Sequence, residues 1–176
     1  NNSSDTGELS FEDVRVPRSN LIGEEGKGFY YIMGNFQDER LIAAAMAVGA
    51  AQQALEDTLR YTRERRTFGK RVIDHQALAH RLADLATELE AARQLTYYAA
   101  DVLQPGGDCS TEVSMAKLFA SEMANRMAYH CLQLHGGYGY IKDYPVERYF
   151  RDVRVASLYE GTSEIQRLVI AKDLLK

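Results

Sequence analysis

The decapeptide Ser157-Leu158-Tyr159-Glu160-Gly161-Thr162-Ser163-Glu164-Ile165-Gln166 sets a carboxylate beside a glycine, just ahead of a helix start. Ser163-x-x-Gln166 has the pattern of a capping box, with Thr162 as a second candidate cap. Glu160 therefore precedes the positive end of a helix. A carboxylate there is either an ordinary helix-dipole acid or, in a dry setting that raises its pKa, a general base.

Two further groups could act with it. Arg40 projects, at ~100° per residue, within about 20° of the centre of an apolar helical stripe set by Phe29 and Ala47. A guanidinium in that direction pairs, touches a ligand, or snorkels past a gap in the core. Glu39 falls near the stripe's edge, either a solvated helix acid or a second carboxylate at the same cleft. Farther on, the segment 60–71 carries six basic residues against one acid. Its Arg65 and Arg66 suit bidentate contact with phosphate, Thr67 adds a hydroxyl, Phe68 can cover a ring and Gly69 admits close backbone approach. The alternative is a solvated basic loop; no basic stripe or aromatic platform accompanies it to suggest nucleic acid.

Other motifs carry less. Gly136-Gly137-Tyr138-Gly139 ends a helix rather than following a strand, so it reads as a C-cap and not a dinucleotide fingerprint. His130 and His135 do not share a helix face, and no Cys/His spacing resembles a zinc site, so no metal is expected. Gly26-Lys27-Gly28 is not a Walker loop, and no nucleophile elbow occurs.

These residues need elements to hold them. Leu9 and Phe11, then Val14 and Val16 in the opposite phase, predict a short strand with a bulge, ended by Pro17. From Gly26 to Glu64 apolar residues fall at helical spacing through Phe29, Ile32, Met33, Phe36, Ala43, Ala44, Ala47, Ala51 and Leu55, a helix about 58 Å long. A second helix, His75 to Gln104, carries Leu78, Leu82, Leu85, Leu89 and Ala92, with Glu88, Glu90 and Arg93 outward, and stops at Pro105-Gly106-Gly107. A third, Ser110 to His135, has Met115, Leu118, Phe119, Met123, Met127 and Cys131 on one side. A short helix, Val146 to Val155, and a last one, Ser163 to Leu175, complete the chain. The expected fold is all-α, an up-and-down four-helix bundle with a short N-terminal β segment.

Composition is compatible with this and narrows the function classes. A chain of 176 residues suits a single core, burying roughly 70% of its unfolded surface. A net charge of −4 gives no global basic excess for nucleic acid. The longest apolar run, Leu41 to Ala51, is far short of the ~20 residues of a membrane span. Two cysteines, Cys109 and Cys131, form no disulfide framework, which points to a cytoplasm or an organelle matrix. The opening NNSSDTGELSF has neither an initiator Met nor a signal-peptide pattern and reads as the start of a fragment.

Taken together, LSFEDVRVP (9–17), NLIGEEGKGF (20–29), RRTFGK (65–70), HQALAHRLADL (75–85), QLHGGYGY (133–140) and YEGTSEIQR (159–167) resemble the acyl-CoA dehydrogenase family, in its order and spacing. The resemblance covers nearly the whole chain. It implies the end of that family's middle β-domain over 1–24 and its C-terminal helical domain over 25–176. It also implies FAD as cofactor, an acyl-CoA substrate, electron-transfer flavoprotein as electron acceptor, and a homodimer or homotetramer. A bacterial member would be cytoplasmic and a eukaryotic one mitochondrial.

By matching motif, Arg65, Arg66, Thr67 and Phe68 would hold the FAD pyrophosphate and adenine side, with His75 and Gln76 near the same cofactor. Gln133, Leu134, His135, Gly136 and Gly137 would approach the adenosine part across the dimer. Thr162, Ser163 and Glu164 would meet FAD at the last helix start. Glu160 matches the family's catalytic base, which removes an α-proton as the β-hydride passes to the flavin. Tyr159 and Gly161 would border the acyl chain, and Gln37, Asp38, Glu39 and Arg40 the thioester and pantetheine path.

One departure stands out. Branched-chain and long-chain members carry their base at the position of Glu39 and then usually have glycine where Glu160 stands, whereas this sequence has glutamate at both. Glu160 is the expected base and Glu39 the alternate. An oxygen-using oxidase relative and a non-catalytic helical oligomerisation or acyl-binding module remain the competing readings.

Overall fold

The computed structural model describes residues 5, 7–104 and 109–176. Five α-helices follow in order: α1 (Gly28–Glu64), α2 (Gln76–Leu103), α3 (Ser110–His135), α4 (Val146–Val153) and α5 (Ser163–Leu174). Between α1 and α2 lies a two-stranded hairpin, β1 (Arg66–Thr67) and β2 (Lys70–Arg71). Helices α1, α2, α3 and α5 form the bundle, and α4 is a short connector packed on α3 and α1.

Small residues bring α1 close to its neighbours. Ala43, Ala44, Ala47, Ala51 and Ala54 are all buried, and the α2 stripe Leu82, Leu85, Leu89 and Ala92 meets them as the spacing predicts. Thr58, Thr62 and Thr96 are also buried, each returning its hydroxyl to a carbonyl one turn back at 2.7, 2.9 and 2.8 Å. Buried threonines thus leave no orphan oxygen.

Helix α3 departs from the expected one-sided stripe. Met123, Met127 and Cys131 are buried as expected, but Met115, Leu118 and Phe119 are only half-buried. Val113, Ala116, Ala120 and Ala124 are buried as well, because α3 packs against α1, α2, α4 and α5. A helix with neighbours on most sides buries most of its circumference.

Two further expectations change. Residues 9–17 form no β-ladder among the described residues, and Leu9, Phe11, Val14 and Val16 are exposed. Alternation supplies a strand's faces, but its backbone needs a partner edge. Likewise Phe29, Ile32 and Met33, read as part of the α1 stripe, are exposed, since the first turns of α1 extend past the bundle. The predicted stop at Pro105-Gly106-Gly107 lies outside the described residues.

Candidate active site

The last helix begins one residue away from where the capping-box pattern would start it. Thr162 is the N-cap, its Oγ1 accepting the Ile165 N–H at 3.3 Å. Ser163 is the first helical residue and donates instead to Glu122 Oε1 at 2.6 Å. Gln166, fully buried, turns back toward the preceding loop. Its Nε2 donates to the carbonyls of Glu160 and Gly161, both at 3.0 Å.

That loop is strained. Glu160 has φ +53° and Gly161 φ +86°, two consecutive left-handed residues. For a glutamate this conformation costs roughly 1–2 kcal/mol, and it persists because surrounding donors fix it. Besides Gln166, Lys117 of α3 donates from Nζ to the Gly161 carbonyl at 2.7 Å. A Cβ on Gly161 would sit 2.6 Å from Gln166 Nε2, so the glycine is required for the close approach as well as for its φ.

The strained turn presents Glu160 to a cluster of charges. Partial burial pushes the Glu160 carboxyl above the usual carboxylate range, and Glu39, within hydrogen-bond reach, adds to the rise. Lys117 and Arg40 oppose it. Burial lowers the Arg40 guanidinium, offset by Glu160, and its Nε is buried without a partner. The guanidinium carbon lies 5.7 Å from the Phe36 ring. Tyr159, half-buried beside them, has its phenol raised by burial first and by Glu160 second. Residues far apart in sequence on α1, α3 and the α5 approach thus form one cluster of charges.

Other predicted wall residues are placed differently. Gln37 is committed to the start of α3, donating to Ser110 Oγ at 3.0 Å and accepting from Cys109 Sγ at 2.9 Å. Asp38 is exposed. Neither joins the Glu160 cluster in the way Glu39 and Arg40 do.

The basic segment folds into the hairpin, with Arg66 opposite Arg71 and Thr67 opposite Lys70. Phe68 and Gly69 form its tip with φ +51° and +82°, the two positive angles of a tight hairpin turn. Phe68 is 97% exposed, which burial cannot explain and which suits a ring-stacking surface. Thr67 Oγ1 lies 3.1 Å from His75 Nε2, and the Arg65 guanidinium sits over the Tyr138 ring at 5.0 Å. Arg60 and Arg71 are paired with Asp57 and Asp74, leaving Arg63, Arg65, Arg66 and Lys70 as exposed cations outside the ion pairs here.

Near the end of α3 the expected cofactor group divides. Gln133, Gly136 and Gly137 are exposed, but Leu134 and His135 turn into the core. His135 stacks on Tyr61 at 4.3 Å, holds the Cys131 carbonyl at 2.8 Å from Nδ1, and its own carbonyl accepts from the Tyr61 hydroxyl at 3.1 Å. Gly136 closes the helix with φ +60°, and Gly139 is a packing glycine, since a Cβ there would meet the Leu132 carbonyl at 2.5 Å. Gln76 is exposed at the start of α2, and Glu164 is exposed in the first turn of α5.

The two clusters do not meet within the chain. Glu39 and the hairpin end of α1 at Glu64 are separated by 25 residues of continuous helix, about 38 Å. Lys117 and Glu122 have no counterpart in the sequence reading, and Gln166 figures there only in the capping-box pattern, not as a donor to the Glu160 and Gly161 carbonyls. The available signal was Lys117 itself, a charge on the small-residue face of α3. Among the described residues no set of His, Cys, Asp or Glu could hold a metal, and no helix is long and apolar enough to cross a membrane.

Known proteins share this fold and much of this sequence. The family model for the acyl-CoA dehydrogenase C-terminal domain matches residues 26–175. An acyl-CoA dehydrogenase of Bacillus subtilis is 49% identical over 98% of this chain and 45% of its own length. The caffeyl-CoA reductase–Etf complex subunit CarC of Acetobacterium woodii is 47% identical over 97% of this chain and 45% of its own. The butyryl-CoA dehydrogenase structure from Megasphaera elsdenii superposes with a TM-score of 0.91 at 42% identity, covering 94% of this chain and 43% of that one. The chain thus spans about half the length of the relatives it matches. By sequence, fold and the order of its motifs, it belongs to the acyl-CoA dehydrogenase family of flavoprotein oxidoreductases, as that family's C-terminal helical domain.

Proposed function

We propose that this chain is the C-terminal part of a flavin-dependent acyl-CoA dehydrogenase, and that Glu160 is the base that removes the α-proton of an acyl-CoA thioester. The observation that carries this is the Glu160 turn: a carboxylate on a left-handed backbone, its pKa raised by burial and by Glu39, beside Arg40 and Lys117. A carboxylate of ordinary pKa is a weak base for such a carbon acid, and desolvation moves it in the required direction. Among the described residues no acceptor receives the Glu160 backbone N–H, which leaves that donor for the thioester oxygen as negative charge develops there. The partnerless Arg40 Nε is a second donor in need of a ligand oxygen.

FAD, when bound, would supply the acceptor for the β-hydride. The residues that suit it are Thr162 and the first turn of α5 at one end of the bundle, and Arg65, Arg66, Thr67 and Phe68 at the other. The exposed Phe68 ring and free guanidinium groups fit a cofactor with a planar ring and phosphates. With about 38 Å of α1 between the two groups, each chain would contribute to two cofactor sites, which supports a homodimer or a larger assembly. Electron-transfer flavoprotein as acceptor is supported by the Etf complex named for the Acetobacterium relative. That relative is named a reductase. In the reductive direction the same carboxyl, protonated, would return the α-proton.

The test is anaerobic bleaching of flavin absorbance in the full-length flavoprotein by straight and branched acyl-CoAs. Glu160→Gln should keep its flavin and lose the bleaching rate by roughly 10²–10⁴-fold, the usual contribution of a general base. Normal bleaching in that variant, or its loss in Glu39→Gln alone, would transfer the role to Glu39 or remove it altogether.

A further inference from the structure

Lys117 has an unusual position. It lies on α3 at 1% exposure, among the largest fully buried side chains of the molecule. Lysines are almost never fully buried unless paired, yet Lys117 forms no ion pair within 4 Å among the described residues. Its Nζ donates to the Gly161 carbonyl at 2.7 Å and stands 5.8 Å over the Tyr159 ring. Both contacts fall on the residues flanking Glu160. Packing alone does not account for it, since an apolar side chain of similar volume would fill the slot without the cost of desolvating an ammonium.

Resting on the reading of Glu160 as base, we propose that Lys117 is its positioning residue. The buried ammonium ties the base turn to α3 and supplies the positive charge beside which the carboxyl ionises.

The surrounding charges favour this assignment. Glu160 faces Lys117 from the turn, Arg40 from α1, Glu122 from α3 itself and Glu164 from α5. Glu122 is engaged by the Ser163 hydroxyl, and Glu164 is exposed with Arg167 as its ion-pair partner at 3.8 Å. Glu160 is the acid left for Lys117 to balance. The Gly161 carbonyl receives both Lys117 and Gln166, so donors from α3 and α5 converge on one backbone atom next to the base. Such convergence from rigid helices is what holds a reactive group in a productive geometry.

The test separates the two roles in the full-length flavoprotein. Lys117→Gln keeps a donor for the Gly161 carbonyl but loses the charge; Lys117→Met loses both. Lys117→Gln should retain flavin and move the pH midpoint of the bleaching rate upward by about one unit. The rate would then be about tenfold slower below the midpoint and would converge on wild type above it. A second readout needs no turnover: calorimetry of a non-oxidisable acyl-CoA thioether in buffers of different ionisation enthalpy should show the midpoint of the binding-linked proton change displaced in the same direction. Lys117→Met should add a tenfold or larger fall in the high-pH plateau. Superimposable profiles for wild type and Lys117→Gln would overturn the proposal, as would a Lys117→Gln protein that cannot fold, because Lys117 would then serve packing alone. Glu160→Gln, measured in parallel, tells the two readings apart: normal bleaching there defeats the base, whereas lost bleaching with an unshifted Lys117→Gln profile defeats only Lys117.

Discussion

Gly161→Ala tests whether the strained turn is held as the structure shows. The substituted alanine must adopt φ +86° and place its Cβ 2.6 Å from Gln166 Nε2. The left-handed conformation costs about 1–2 kcal/mol. Relieving the clash pulls the Gln166 amide from the Glu160 and Gly161 carbonyls, each now bonded at 3.0 Å. Those two bonds are worth about 1 kcal/mol each, so the total is about 3–4 kcal/mol. Hydrogen exchange of the Ile165 and Gln166 amides, which donate to Thr162 Oγ1 and to the Thr162 carbonyl, reads the opening of this turn without requiring the whole protein to unfold in two states. At about 1.4 kcal/mol per tenfold, exchange should accelerate by more than 100-fold. In a Gln166→Ala background there is no amide to displace, and the same glycine change should accelerate exchange only about tenfold, the left-handed conformation alone. Equal effects in the two backgrounds would refute the coupling and with it the role assigned to Gln166.

Three further outcomes follow from the same geometry. Glu39 raises the Glu160 carboxyl, so Glu39→Gln should move the bleaching midpoint to lower pH; a midpoint that rises or stays fixed would show that the two carboxyls do not interact. Phe68 is 97% exposed, so Phe68→Ala should leave helix content and stability within about 0.5 kcal/mol while weakening FAD binding at least tenfold, as read by flavin release on dilution. Cys131 is buried and its thiol is pushed up to about 11 by desolvation, so native protein at pH 8 should resist alkylation there until it unfolds, and stoichiometric labelling of folded protein would contradict the packing around α3.

What the sequence made legible follows from which forces are local. The ends of α3 at Ser110 and His135 agree with the reading, because a 3.6-residue pattern and the following glycine act on neighbouring residues. The boundaries of α2 and α5 agree within one residue for the same reason. The stripe that spacing predicts for α3 runs through its largest side chains, Met115, Leu118 and Phe119, and so does not mark Lys117, whereas the closest packing falls on Val113, Ala116, Ala120 and Ala124. Size marks hydrophobic payload, but in a tight bundle small residues mark the nearest neighbour. The capping-box residues show a similar limit. Spacing marks Ser163 and Gln166 as a box, but Thr162 is the N-cap, and the partners of the two, Glu122 and the Glu160 and Gly161 carbonyls, are set by tertiary contacts that local spacing does not encode.

The presence of glutamate at both base positions is best understood as part of a charge balance. Glu39, Arg40 and Lys117 all act on Glu160, so that two acids and two cations gather at a partly buried carboxyl. Removing Lys117 leaves an excess of negative charge and makes ionisation of Glu160 harder; removing Glu39 leaves an excess of positive charge and makes it easier. The single changes must therefore displace the bleaching midpoint in opposite directions. Lys117→Gln combined with Glu39→Gln should bring it back toward the wild-type value, since the pair leaves the net charge around Glu160 unchanged. The Gly161 carbonyl keeps a donor in that double variant, so the turn stays anchored while the field is reset. If the midpoint instead moved further than in either single variant, the two groups would be acting on the turn's geometry rather than on its charge, and the balance would not be what tunes the base.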